Sequence, residues 1–498
     1  MFNNKISNFF LILAFIIATI SSCKRGLLET APRDQLTSAI ALSDFSGVTS
    51  VLNSAYRKTF GFIYYGQRLI VAGEVLSDNA IIFNNTGRYV PESVNARFEH
   101  FGIWTDFQGS TEGAAANAWT VINDCNVVIK FAPIAPDGTN ADKARVVAEA
   151  KFLRALAYHN LAKVYGYEPN ARMTEVGNVF NLAVPIRTTP TEVLSDAKGV
   201  VRATNVEVYT LIKKDLLDAI GVLGYSTSAT RNKASRNAAE ALLARVYLYE
   251  GNWVEATKYA NGVISNSGGS VLMTPANLIA SHTASTTFNP ESLFELEIRS
   301  SDWGGGEGTN NALASMFNSQ SGGIRALTAS DELLASYEAG DVRRGVWVNG
   351  PGLPLKVECK KWSRKHDNAQ GIDWIPVLRL SEMHLIIAEA ASETGGDAIA
   401  VATVNALRAQ RGLPALTAAN STGQNLKNAI LRERRVEFAA EGHRWFDLKR
   451  KGIDIQKPLV SVTAGAPATI PATSFLMLAN IPQDEININP ALKQNPGY

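Results

Sequence analysis

The chain has 498 residues, 46% of them hydrophobic and 19% charged, which is enough apolar material to bury a large core in one big domain or a few ordinary ones. Its formal net charge is only +2, and no basic block supplies the phosphate neutralisation that nucleic acid binding requires. Three cysteines are too few to form a disulfide framework.

At the start, Met1-Phe2-Asn3-Asn4-Lys5 leads into an apolar stretch from Phe9 to Ile20 that breaks at Ile20-Ser21-Ser22-Cys23. A basic start, a short apolar core and small residues before a cysteine make residues 1–22 a secretory signal, too short to span a bilayer. The junction resembles a bacterial lipobox, so Cys23 is expected to be the acylated first residue of the mature chain. Residues 23–41, punctuated by Pro32, then read as a tether. No second apolar run reaches membrane length, so the expected membrane contact is through lipid alone.

Helical periodicity governs the next stretches. Asp44 to Phe60, Ala118 to Phe131, Ala144 to Tyr165, Asn205 to Leu223, Asn237 to Tyr249, Trp253 to Ile264, Leu380 to Ser392, Asp397 to Arg411 and Leu426 to Glu441 are predicted amphipathic helices. Several come in pairs. Leu243-Ala244 and Tyr247, a turn at Gly251 and then Ala256 follow the tetratricopeptide spacing, Ile387-Ala388 with Gly395-Gly396 and Ala400 repeats it weakly, and Leu161-Ala162 with Tyr165 echoes it. The predicted fold is therefore all-α: a tetratricopeptide-like scaffold of helical hairpins with long irregular loop insertions and a few short strands. After the tether, residues 42–498 form a single domain, with scaffold at about 42–76, 118–265 and 376–450. Residues 77–117 and 266–375 are rich in Gly, Asn, Ser and Thr and read as loops, with a strand candidate at Leu293 to Ile298; long loops of this kind usually serve function.

Motifs for catalysis are missing: there is no H-E-x-x-H, no G-x-S-x-G, and no cysteine spacing for zinc, so neither metal nor cofactor is expected. The run Trp303-Gly304-Gly305-Gly306-Glu307-Gly308 lacks the lysine and spacing of a phosphate loop. Acids, bases and a histidine do meet between Glu433 and Leu448. On one predicted helix Glu433, Glu437 and Glu441 stack at i, i+4, i+8, and like charges at that spacing are destabilising unless cations meet them. Arg434 and Arg435, with Arg379, Arg408 and Arg411, are the expected partners in a structural ion-pair network. Binding chemistry is expected on the loops instead. Tyr89 and Trp104, with Tyr64 and Tyr65, lie near Asn79, and Trp303 lies near Asp302 and Asn310. Flat aromatic faces cover sugar rings while amides and carboxylates bond hydroxyls. Trp347, Trp362 and Trp374 are the next aromatic candidates, Trp119 is assigned to the core, and the pairing of Cys125 with Cys359 is left open.

Four features together resemble the SusD/RagB family: the lipobox; Glu149-Ala150-Lys151-Phe152-Leu153-Arg154-Ala155-Leu156-Ala157-Tyr158; Arg432-Glu433-Arg434-Arg435-Val436-Glu437-Phe438 with Glu441-Gly442-His443-Arg444-Trp445-Phe446-Asp447-Leu448; and the tail at about 475–498, which holds Ile481-Pro482, Glu485-Ile486, Asn489-Pro490 and Gln494-Asn495-Pro496-Gly497-Tyr498. The resemblance implies an outer-membrane lipoprotein, lipid-anchored and facing the cell surface. It would bind oligosaccharides, without cutting them, and deliver them to a SusC-like TonB-dependent transporter. It also implies that the loops near Trp104 and Trp303 present the ligand-binding aromatics. One departure is that Lys24-Arg25 follow the cysteine where surface-exposed members often carry acids. The rival readings are a peptide-binding member of the same family, a surface glycoside hydrolase, and a structural adaptor.

Cys23→Ala is expected to leave an unprocessed precursor or to release a soluble protein, read by membrane fractionation and intact mass. A processed variant still fractionating with the outer membrane would rule out lipidation at this residue.

Overall fold

The computed structural model describes residues 42–82, 117–169, 180–192, 196, 199–284, 287–301, 312–319, 325–350, 357–367, 371–459, 461 and 465–498. The expected signal, Cys23 and the tether lie outside them. The chain folds as a helical scaffold with small two-stranded antiparallel sheets set into it.

Local chemistry sets the helix starts. In α1 (Phe45–Thr59) the Asp44 carboxylate accepts from the Gly47 amide, and in α3 (Ala118–Phe131) Asn117 and Thr120 form a capping box; α2 (Arg68–Val75) lies between them. Thr139 caps α4, which begins four residues earlier than the periodicity suggests, at Asn140–Tyr165, because the cap and not the first apolar residue fixes the start. Thr204 and Glu207 box the start of α5 (Asn205–Ile220), and Ser235 caps α6 (Arg236–Glu250). Gly251, at φ +70°, then lets the chain turn into α7 (Trp253–Ser265) within two residues. Small residues make the hairpin close, since Ala244, Ala256 and Ala260 are fully buried. The second hairpin joins α8 (Leu380–Glu393) to α9 (Asp397–Ala409) through Gly395 at φ +79°, with Ala388 and Ala400 fully buried. Two further helices follow, α10 (Gly423–Glu437) and α11 (Arg444–Lys451).

Helix α4 is the central rod. From Ala148 to Tyr165 nearly every residue is buried, since α3 packs on one side and α5 on another. Several of its polar residues are therefore matched internally. Arg154 donates to both Asp215 oxygens on α5 at 2.8 Å and to Asn126 on α3 at 2.7 Å, tying three helices together.

The aperiodic stretch 266–375 is more than a loop. Strand β2 (Ser292–Leu296), fully buried, pairs antiparallel with β6 (Ile375–Arg379), which runs straight into α8. Between them in sequence come β3 (Leu327–Ala329), which pairs with β1 (Ala80–Ile82), and the pair β4 (Trp347–Asn349) with β5 (Val357–Cys359). Leu293, Phe294, Met316, Phe317, Leu333 and Trp362 from this stretch sit in the main core. Three-residue strands are too short to show alternation, which is why the pattern missed them. Cys125 and Cys359 are both buried and free, so they do not pair. Trp119 is partly buried against the same core, edge-on to Tyr158 at 6.1 Å.

The C-terminal tail closes the fold by capping α4. A helix end leaves carbonyls without intrahelical partners. Here Lys449 donates to the Lys163 and Gly166 carbonyls at 2.6 and 2.5 Å, and Arg202 to that of Tyr165 at 2.8 Å. Asn495 in the tail reaches the Tyr165 carbonyl at 3.2 Å and the Ala479 carbonyl at 2.5 Å. Arg202 also binds the Ala183 and Lys493 carbonyls, each at 2.8 Å, stapling the tail to the body. Arg202→Met is expected to destabilise the fold by about 2–4 kcal/mol, because buried carbonyls lose their donor while the packing of the stem is kept. The check is denaturant unfolding; an unchanged midpoint would mean that the tail docks without this staple.

Candidate functional site

The acid-base patch that the sequence singles out is an ion network centred on Glu437. Its Oε1 accepts from Arg379 Nη1 and Arg411 Nη2, both at 3.0 Å, and its Oε2 from Arg411 Nε at 2.9 Å and Arg343 Nη1 at 3.1 Å. Glu433, one turn back, is held by Arg343 and, at 2.9 Å, by Arg408. Glu291 closes the ring, taking Arg411 at 2.6 Å and Arg379 at 2.7 Å. Burial pushes the Glu437 carboxyl up, but Arg411, Arg379 and Arg343 together hold it well below the usual carboxylate range. A carboxylate held ionised in this way cannot donate a proton as a general acid.

Three details differ from the sequence expectation. Helix α10 ends at Glu437, and Ala440 at φ +66° and Gly442 at φ +80° turn the chain, so Glu441 is not on the helical ladder. It still joins the network, accepting from Lys361 at 2.6 Å and from Arg379 at 2.9 and 3.0 Å. Arg434 and Arg435 point elsewhere: Arg434 binds Asp447 at 3.0 Å, and Arg435 binds the Asn79 side chain and the Asp78 carbonyl, both at 2.9 Å. The partners that sequence reasoning missed are Arg343, Lys361 and Glu291. All three come from the aperiodic stretch, where no spacing signals them.

Asn79 is not an exposed ligand contact. It is fully buried, donating to Glu74 at 3.0 Å while accepting from Arg435, so both ends of its amide are committed to the core. Tyr64 and Tyr65 are buried as well, their hydroxyls bonded by Asn160 at 2.7 and 3.0 Å. Tyr89, Trp104, Asp302, Trp303 and Asn310 lie outside the described residues. Among the next candidates, Trp347 and Trp362 are buried, donating their indole N–H to the Tyr337 hydroxyl at 2.9 Å and the Ala440 carbonyl at 2.8 Å. Trp374 differs. It is half-buried and stacks on His366 with centroids 4.3 Å apart and planes 11° from parallel, while Phe288 lies 4.8 Å from it.

This aromatic ledge sits beside the segment that leads from β2 toward residue 302. The Trp374 indole donates to the Ile298 carbonyl at 3.1 Å, and Ser300 donates to Asp367. The same segment borders a cleft of ≈ 270 Å³, lined by Asn53, Tyr56, Arg57 and Phe60 at the end of α1, by Asn232 and Lys233, and by Leu296, Glu297 and Arg299. Glu297 is held by Arg299 at 2.9 Å and by Asn232, and Lys233 lies over the Tyr56 ring at 4.3 Å. Amides, a carboxylate, guanidiniums and ring surfaces in one open cleft can bind a hydroxyl-rich ligand. His366 accepts from the Trp374 amide at 3.0 Å through Nδ1; burial, with Lys365 nearby, pushes its pKa down to about 3, so the ledge is uncharged near neutrality.

The chain is similar to known proteins. A family model described as the SusD family matches residues 355–498, and one described as "Starch-binding associating with outer membrane" matches residues 94–248. The SusD-like protein P2 of Formosa agariphila is 25% identical over 88% of this chain and 90% of its own length. A SusD superfamily protein from Bacteroides thetaiotaomicron superposes with a TM-score of 0.75 at 25% identity, covering 91% of this chain and 100% of its own. A laminarin-binding SusD-like protein superposes with a TM-score of 0.71 at 23% identity, over 92% of this chain and all of its own.

Glu437→Gln is expected to cost about 3–5 kcal/mol, since it leaves buried guanidiniums short of a counter-charge. A neighbouring set of ion pairs adds to the acid limit. Burial raises Asp447 and Glu389, but Arg434 and Arg450 for the first, and Arg450, Lys451 and Arg434 for the second, bring each down to about 2. A depressed folded-state pKa gives stability that is present above the unfolded value of ~4 and lost as pH falls toward the folded one. Unfolding midpoints should therefore fall between pH ~4 and ~2, with a shallower acid loss in Glu437→Gln. A midpoint that is flat across that window would contradict the assignment.

Proposed function

The chain belongs to the SusD family, and from that premise we propose that it is an outer-membrane lipoprotein. It binds oligosaccharides at the cell surface and passes them to a SusC-like TonB-dependent transporter. The observation that carries this reading is the match over residues 94–248 to the starch-binding, outer-membrane-associating family, a span that includes Trp104. The laminarin-binding relative with the same fold points to glycans as well. The Trp374 ledge and the cleft at Arg299 offer ring faces and polar groups suited to sugars. Lipid attachment at Cys23 would hold the body at the membrane, and residues 24–41 would give it reach.

The test is titration of the soluble body, residues 24–498, against glycan and peptide libraries, followed by Trp104→Ala, Trp303→Ala and Arg299→Ala. A glycan should bind. Loss of a platform tryptophan should cost more than ~2 kcal/mol, or about thirtyfold in affinity, with little change in melting temperature. If Trp104 and Trp303 were core residues, their truncation would instead lower stability by ~3–5 kcal/mol and leave binding by the folded fraction intact. Binding of peptides with no glycan bound would overturn the reading.

A further inference from the structure

Where the end of α4, α6, α11 and the turn after α10 meet, there is a small, partly open cavity of ≈ 30 Å³ lined by Tyr65, Lys163, Arg245, Tyr249, His443 and Phe446, among others. That is room for a small species, since a space of roughly 10–15 Å³ already takes a water. Two donors on its wall have no acceptor among the described residues. Lys163, in the last turn of α4, is only 7% exposed, and its ammonium lies 4.3 Å from the Phe446 ring centroid and 5.9 Å from that of Tyr249. The Tyr65 hydroxyl accepts from Asn160 at 3.0 Å and has the Arg245 guanidinium beside it, which leaves its own proton to donate.

Charge decides what the cavity takes. Each acid around it already has its own cation. Glu382 is held by Arg245 at 2.8 and 2.6 Å, and Asp447 by Arg434 at 3.0 Å and Arg450 at 2.9 Å. Glu441 is held by Lys361 at 2.6 Å, and Glu168 lies 3.5 Å from Lys449. His443 is kept neutral, its pKa well below the usual value through burial and the positive charge of Arg245 and Arg434. The Lys163 ammonium is therefore the surplus charge. Water would accept both hydrogen bonds but leave that buried charge uncompensated, an unfavourable state in a low-dielectric interior. We propose that this cavity binds a small monovalent anion of chloride size, held between the Lys163 ammonium and the Tyr65 hydroxyl.

Binding and protonation are then linked. Burial, with Arg245 and Lys449 adding repulsion against the pull of Glu382 and Asp447, brings the Lys163 pKa down to about 7. An anion favours the protonated amine, so its stabilising effect should grow as pH falls through about 7.

Bromide is the probe. Crystals of the soluble body grown in sodium bromide should show an anomalous peak in this cavity, within hydrogen-bond reach of Lys163 and Tyr65. In melts at equal ionic strength, sodium chloride should raise the melting temperature above that in sodium gluconate, and more so at pH 6 than at pH 8. Lys163→Met should abolish both the peak and the chloride increment, and Tyr65→Phe should weaken bromide binding by about threefold or more. Should Lys163→Met fail to fold, the wild-type anomalous map and Tyr65→Phe still decide. A wild-type cavity holding only water, or a chloride increment undiminished in Lys163→Met, would overturn the proposal.

Discussion

The structure depends on the cage of guanidiniums around Glu437. Burying one carboxylate and three arginines is unfavourable in itself, since each ion loses its hydration, and the arrangement is stable only because nearly every donor finds an acceptor. Its importance lies in what it joins. Arg379 ends β6, Arg411 follows α9, Glu437 ends α10, Arg343 lies between β3 and β4, and Glu291 stands just before β2. Ser292, next to Glu291, pairs with Arg379 in the ladder, so the network pins the start of one strand and the end of the other at the same point. The two ends of the strand pair away from that point lead to Trp374 just before β6 and to Glu297–Arg299 beyond β2. Geometry at the candidate ligand face is therefore set by ion pairs at the opposite end of a five-residue ladder.

A site built this way separates stiffness from specificity. The ladder and its arginines are buried and matched, while the cleft residues Asn53, Lys233 and Arg299 stand at the surface, where Lys233 donates to Asn53 and Arg299 to Glu297. Replacing one of these surface groups changes what the cleft can bond without disturbing Glu437. Replacing an arginine of the cage would shift both strands together.

How much of this was legible in the sequence follows from the range of the interactions. The amphipathic helices α1, α3, α5, α7 and α9 declare themselves because one face is wet and the other dry, and the Gly251 and Gly395 turns declare the hairpins. Helix α2, Arg68–Val75, does not, because all but its first residue are buried, so no face differs from another. The glutamate spacing in α10 correctly signals a need for cations, yet the identity of those cations depends on Arg343 and Lys361, which are far away in sequence and lie in segments with no period. The tail motif is specific to the family, but its physical task of capping α4 at Tyr165 connects residues 330 apart, which no local pattern can express. Asn79 shows the converse error: an amide beside aromatic residues in a polar stretch looked like a ligand contact, and burial made it a bridge between Glu74 and Arg435.

The buried lysines make one further distinction that sequence could not. Lys457 is enclosed without a close carboxylate partner and Lys449 has only Glu168, at 3.5 Å, but each aims its ammonium at carbonyls left open where a helix ends: Lys449 at the end of α4, and Lys457 at the Val75, Leu76 and Ser77 carbonyls after α2. The negative end of the helix dipole and the direct hydrogen bonds compensate the charge there. Lys163 sits on the last turn of the same helix that Lys449 caps, with its ammonium turned away from those carbonyls and toward two ring faces. Cation–π contact offsets only part of the cost of burying an ammonium. The two capping lysines complete their helices from within the chain, whereas Lys163 leaves a positive site whose counter-charge must come from outside it.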